Sequence, residues 1–82
     1  MSNQKLLQLT ISRVDGSVFE GEVTSVSVPG VAGDMEILAD HEALISPLKE
    51  GEIKVNTLDG QEKFEIKSGT LEISNNHATI LI

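Results

Sequence analysis

The sequence predicts an all-β fold, a small antiparallel β-sandwich of two packed sheets. Three observations carry the prediction: apolar residues alternate with polar ones at a period of two, turn residues punctuate these runs, and no helical apolar stripe competes with them. A period of two suits a strand, whose successive side chains point to opposite faces. Eighty-two residues leave room for one core, so the chain reads as a single domain over 1–82.

The elements follow in order. Leu7, Leu9 and Ile11 alternate with Gln8, Thr10 and Ser12 in a first half-buried strand, closed by Asp15-Gly16. Glu20 and Glu22 then share one face of a strand, and Gly21 between them suits a kink or a close approach. Val26 and Val28 alternate with Ser25 and Ser27 up to a turn at Pro29-Gly30; Met35 and Ile37 alternate with Asp34 and Glu36. From His41 to Leu48 the pattern fits either a strand or a short turn, and Pro47 fits an edge or a bulge. Ile53 with Val55, Phe64 with Ile66, Leu71 with Ile73, and Ala78, Ile80 and Ile82 supply the later strands. Glu50-Gly51, Asp59-Gly60, Ser68-Gly69 and Asn75-Asn76 separate them, since Gly and Asn tolerate the positive φ of tight hairpins. The count is eight or nine short strands. One core is expected from Leu9, Ile11, Val26, Val28, Ile37, Ile53, Val55, Phe64, Ile66, Leu71, Ile73 and Ile80. Within it, Phe64→Ala is expected to cost about 3–5 kcal/mol.

Composition removes several functions. At 39% hydrophobic and 23% charged residues, the chain is too apolar for a disordered one. The only aromatics are Phe19 and Phe64, so base stacking has no platform. A net charge of −7 and a pI near 4.5 oppose a phosphate-binding surface, and no nucleic-acid partner is expected. Without cysteine there is no disulfide, thiolate metal site or thiol nucleophile. The opening MSNQKLLQLT lacks a signal-peptide pattern, and no run of 18 apolar residues occurs, so direct membrane insertion is not expected.

The charge is uneven. Residues 14–48 carry seven acids (Asp15, Glu20, Glu22, Asp34, Glu36, Asp40, Glu42) and no Lys or Arg, while six acids balance six bases elsewhere. Such a stretch is either a solvated face or a docking surface for a basic partner.

Chemistry finds little support. Asp40-His41-Glu42 sets an imidazole between carboxylates, but in an extended segment the two acids would point away from the ring. His77 adjoins a turn and reads as exposed; 35 residues separate it from His41, in no metal-ligand spacing. Paired carboxylates occur without a calcium loop, and neither a phosphate-binding loop nor a nucleophile elbow is present. No catalytic, cofactor or metal site is expected.

A longer pattern is more specific. V-F-E-G-E-V from Val18 is followed by V-S-V-P-G-x-x-G-D-M-E-I-L and then by D-H-E-A-L-I-S-P-L-K-E-G-E-I-K-V. With Ser68-Gly69, Leu71-Glu72-Ile73 and Asn76 downstream, this order resembles the epsilon subunit of bacterial F-type ATP synthase over nearly the whole chain. The resemblance implies a sandwich of about ten short strands in two packed sheets. It also implies a non-catalytic central-stalk subunit that docks gamma to the c-ring and couples proton-driven rotation to ATP synthesis. Such a subunit is peripheral, on the cytoplasmic face of the bacterial inner membrane, with gamma and the c-ring as partners.

By the same resemblance, Val31, Ala32, Gly33 and Asp34 form the loop that meets the c-ring, and Asp40, His41, Glu42 and Ala43 the segment lying toward gamma and the ring. Two departures qualify the likeness. The helical hairpin that follows the sandwich in most members, the part associated with inhibition and ATP binding, is not in this sequence, so no nucleotide binding is expected. Where many members have proline-glycine before the histidine, this chain has Ala39-Asp40. The alternative function is a small ligand- or carbohydrate-binding sandwich module, against which the scarcity of aromatics speaks.

Overall fold

Residues 5–82 are described in the computed structural model, and each alternating run of the sequence is a strand in it. The strands are β1 (Leu7–Arg13), β2 (Gly16–Val23), β3 (Ser25–Gly30), β4 (Gly33–Leu38), β5 (Leu44–Leu48), β6 (Gly51–Thr57), β7 (Gly60–Ile66), β8 (Gly69–Ser74) and β9 (His77–Leu81). Among the described residues that makes nine strands, against the ten or so implied by the resemblance, and no helix.

One layer runs β2-β1-β9-β8-β5 and the other β4-β3-β6-β7; a single curled sheet joins them where Gly30 of β3 pairs with Leu48 of β5. All pairings are antiparallel except β1 with β9, which run parallel because the first strand is inserted between β2 and the last strand.

Both prolines sit at this joint. The Val31 N–H donates to the Pro47 carbonyl (3.1 Å), and the Lys49 N–H to the Pro29 carbonyl (2.9 Å). In an antiparallel ladder a residue's N–H and C=O point to the same side. The missing N–H of each proline therefore faces the joint, and neither the β3–β4 nor the β5–β8 ladder loses a bond. This explains why Pro47 lies inside β5. It also corrects one expectation: Pro29-Gly30 ends β3, and the turn itself is Val31 and Ala32.

The two inward faces meet in one core. Eleven of the twelve expected core residues are buried, joined by Leu7, Val23, Leu48 and Ala78. Phe64 is the exception. It lies on β7, the terminal strand of its layer, and is only half-buried. Its ring packs edge-on against Phe19 of β2 (centroids 6.2 Å apart, 66° between planes), so the two aromatics close the seam between the layers' edges. Ser25, the one buried polar side chain among the described residues, accepts a bond from Asn56 Nδ2 (2.9 Å), and Gln61 Nε2 donates to Asn56 Oδ1 (2.8 Å). This cross-strand chain satisfies the buried hydroxyl oxygen.

Candidate functional site

The segment containing Val31, Ala32, Gly33 and Asp34 is the tip of the β3–β4 hairpin. Gly30 pairs directly with Gly33, leaving Val31 and Ala32 as a two-residue turn. Gly33 adopts φ 139°, a conformation that L side chains rarely take. Gly30 is required for a different reason: a Cβ there would lie 2.5 Å from the Gly33 carbonyl oxygen. The tip displays an apolar group and an acid, since Val31 is 58% exposed and Asp34, opposite Pro29, is exposed as well.

The second segment, residues 39–43, links β4 to β5, and its backbone is not extended as expected. Asp40 has φ 62°, in the left-handed region. Its N–H donates to Asn76 Oδ1 (2.7 Å), and its carboxylate accepts from Lys5 Nζ (2.7 Å). Asn76 Nδ2 in turn donates to the Leu6 carbonyl (2.9 Å). The hydrogen bond and the charge of Asp40 hold the Lys5 ammonium above the ordinary lysine value of 10.5. A raised lysine pKa gives a contribution that is complete below the unfolded value and lost as pH climbs through the folded one.

His41 Nδ1 lies 2.8 Å from the Glu42 carbonyl, which can only accept, so that nitrogen carries the proton. The two carboxylates do not converge on the imidazole. Glu42 and Ala43 are exposed and His41 is half-buried. His77 is exposed, as expected, with Nε2 3.0 Å from Thr10 Oγ1.

These two segments do not form one site. They lie at opposite ends of β4, whose six residues separate them by roughly 17 Å at about 3.3 Å per step. The hairpin tip shares its end of the sandwich with the β5–β6 turn, through the Lys49–Pro29 bond. The 39–43 segment shares the other end with Lys5 and Asn76. The acidic stretch is dispersed too: Glu20 and Glu22 lie on β2 in one layer, Asp34 and Glu36 on β4 in the other, and Asp40 is paired with Lys5.

The links from Lys5 and Asn76 to Asp40 were missed in the sequence, where Asn76 reads only as a turn residue. The two residues stand 35 and 36 residues from Asp40, and no local motif joins them to it.

Among the described residues, no three of His, Cys, Asp and Glu gather to hold a metal ion. An open cleft bordered by Arg13, Glu52, Glu65, Lys67 and Ile82 contains no histidine to activate its Ser68. Phe19 and Phe64, both half-buried, pack edge-on against each other at the seam between the layers.

Residues 6–82 match the family model of the ATP synthase delta/epsilon chain β-sandwich domain. The chain belongs to that family. It is 36% identical over 81 residues to the ATP synthase epsilon chain of Chlorobium limicola, covering 98% of this chain and 92% of that one. The epsilon chain of Latilactobacillus sakei subsp. sakei is 37% identical over 81 residues, and that of a Nitratiruptor species 39% over 77. These pairings take in 95% and 93% of this chain, which spans a little over half the length of those two relatives, 56% and 60%.

The fold recurs in a chain of the Euglena gracilis mitochondrial ATP synthase OSCP/F1/c-ring structure, with a TM-score of 0.87 and 23% identity over 98% of this chain and 52% of that one. It recurs as well in the central stalk/c-ring structure from Tetrahymena thermophila, with a TM-score of 0.79 and 11% identity over 98% and 65% of the two chains. The two-layer architecture is the family's own, and the seam at Gly30 and Leu48 falls within the matched residues.

Proposed function

We propose that this chain is a non-catalytic rotor subunit of an F-type ATP synthase, docking gamma to the c-ring at the central stalk and coupling proton-driven rotation to ATP synthesis. The observation that carries this reading is the family match across residues 6–82, with an epsilon chain of nearly equal extent in Chlorobium limicola. In that role the chain is peripheral to the cytoplasmic face of the bacterial inner membrane and needs no nucleotide, metal or cofactor of its own.

The geometry supports a division of labour. The hairpin tip with Val31, Ala32, Gly33 and Asp34 meets the polar loops of the c-ring, offering one apolar side chain and one carboxylate. At the other end of β4, the segment with Asp40, His41, Glu42 and Ala43, which the resemblance puts toward gamma and the ring, is assigned to gamma, because β4 holds it roughly 17 Å from the tip. Ile45, 70% exposed and just beyond that segment, adds apolar area to the contact. Exposed charge pairs are worth only about 0–1 kcal/mol each, so apolar and backbone contact supplies most of the affinity while the acids orient the sandwich.

Affinity capture of the tagged chain from native membranes tests the proposal. Recovery of gamma and the c-ring subunit with it is the expected result, and recovery of neither would overturn it.

A further inference from the structure

We infer that Asp40 is a positioning residue. It pins the 39–43 segment to the start of the chain and to the β8–β9 turn, and leaves contact with a partner to His41, Glu42 and Ala43. The inference starts from the backbone. At φ 62° most L residues are strained, and the short polar side chain of Asp is among the few that tolerate the conformation. That twist directs the Asp40 N–H to Asn76 Oδ1 at 2.7 Å, while the carboxylate takes the Lys5 ammonium at 2.7 Å.

Asn76 completes the pin. It stands in a two-residue turn with Asn75, both in the left-handed region at φ 59° and 50°. Its Nδ2 donates to the Leu6 carbonyl at 2.9 Å, and its own carbonyl accepts from the Gln8 N–H at 3.2 Å. Three segments far apart in sequence are thus tied by polar contacts around one residue. Both functional groups of Asp40 are engaged within the chain, so the anion of this segment without an ion pair among the described residues is Glu42.

The two halves of the pin differ in salt response. Lys5 and Asp40 are 77% and 53% exposed, so dissolved salt screens their attraction. The bond from the Asp40 N–H to the Asn76 amide is between neutral groups and has no such dependence.

Amide hydrogen exchange on the intact 82-residue chain tests the pin, with the amides of β6 as a control for global opening. Asp40→Gly keeps the left-handed backbone and the N–H but removes the carboxylate; Lys5→Gln removes the opposite charge. Each is expected to speed exchange at residue 40 by up to about fivefold at low salt, the range of an exposed ion pair. At ~1 M salt, where screening reaches about 3 Å, the difference should vanish. Asn76→Gly keeps the turn and removes both side-chain bonds; it is expected to speed exchange at residue 40 by about tenfold or more at any salt. Unchanged exchange at residue 40 in all three variants would overturn the inference.

A second arm measures gamma binding and rests on the docking proposal above. A positioning role predicts that Lys5→Gln and Asp40→Gly both weaken binding. If Asp40 were itself a contact, releasing it from Lys5 would tighten binding, and that result would overturn the assignment. Loss of protection at residue 40 with unchanged gamma affinity in every variant would uphold the pin and refute docking at this end, so the two failures are distinguishable.

Discussion

Gly30→Ala should open the β3–β4 hairpin, and the cost follows from the structure. The added Cβ would stand 2.5 Å from the Gly33 carbonyl oxygen and 3.0 Å from Met35 Cε. The methionine methyl can swing aside. The carbonyl cannot, because it belongs to the backbone directly paired with Gly30. Ordinary contact begins near 3.4 Å, so the two strands must part by about 0.9 Å at the turn. Over-packing of this kind costs about 1–3 kcal/mol, and loss of a strained ladder bond adds about 1 kcal/mol. A total near 2–4 kcal/mol is a large share of the roughly 5–15 kcal/mol that holds a domain together.

Urea unfolding followed by far-UV circular dichroism measures it. With a slope of about 1 kcal/mol per molar for so small a chain, the midpoint should fall by about 2 M or more. Gly21→Ala is the matched control. Its Cβ would meet only the Phe19 ring, at 3.7 and 3.8 Å, which is ordinary contact, so its midpoint should barely move. Equal shifts for the two variants would refute the steric argument.

Three further outcomes are expected. Leu71→Ala, in the closed core, should cost about 2–5 kcal/mol, whereas Phe64→Ala should cost about half the 3–5 kcal/mol of a fully buried phenylalanine; paired urea curves check the order. Asp34→Lys should weaken assembly with the c-ring several-fold more than Asp34→Asn at low salt, while Glu72→Lys on β8 should have little effect; proton pumping by reconstituted complexes reads the difference. ATP at millimolar concentration should leave the thermal midpoint of the chain unchanged. The sequence has no phosphate-binding loop, and a net charge of −7 disfavours a polyphosphate, so a saturable rise in the midpoint would contradict the reading.

The strands were legible because most have one face toward the core, which imposes the period of two on β1, β6, β8 and β9 alike; β3 alternates in residue type although it is buried on both faces. Phe64 obeys the same pattern and was overestimated, since alternation reveals which face a residue takes but not whether its strand ends a sheet. Pro29 misled for a related reason. Proline-glycine is a turn signal, yet here the missing N–H faces a joint between layers, and that joint exists only in three dimensions. Half of the candidate site was legible in the same sense. The hairpin tip at Val31 and Ala32 is bracketed by glycines, whereas the links from Lys5 and Asn76 to Asp40 cross more than thirty residues. Residues 31–34 and 40–43 are close in sequence, but the intervening strand is extended and places them at opposite ends.

Site-specific photo-cross-linking within the assembled synthase tests the central claim most directly. A cross-linker replacing Val31 should capture the c-ring subunit and one replacing Glu42 should capture gamma, because β4 separates the two positions by roughly 17 Å or more. Leu58, an exposed residue in the β6–β7 turn and outside both proposed contacts, serves as the reference and should capture neither at comparable yield. Yields from Val31 and Glu42 no higher than from Leu58, or the two partners exchanged between positions, would contradict the account.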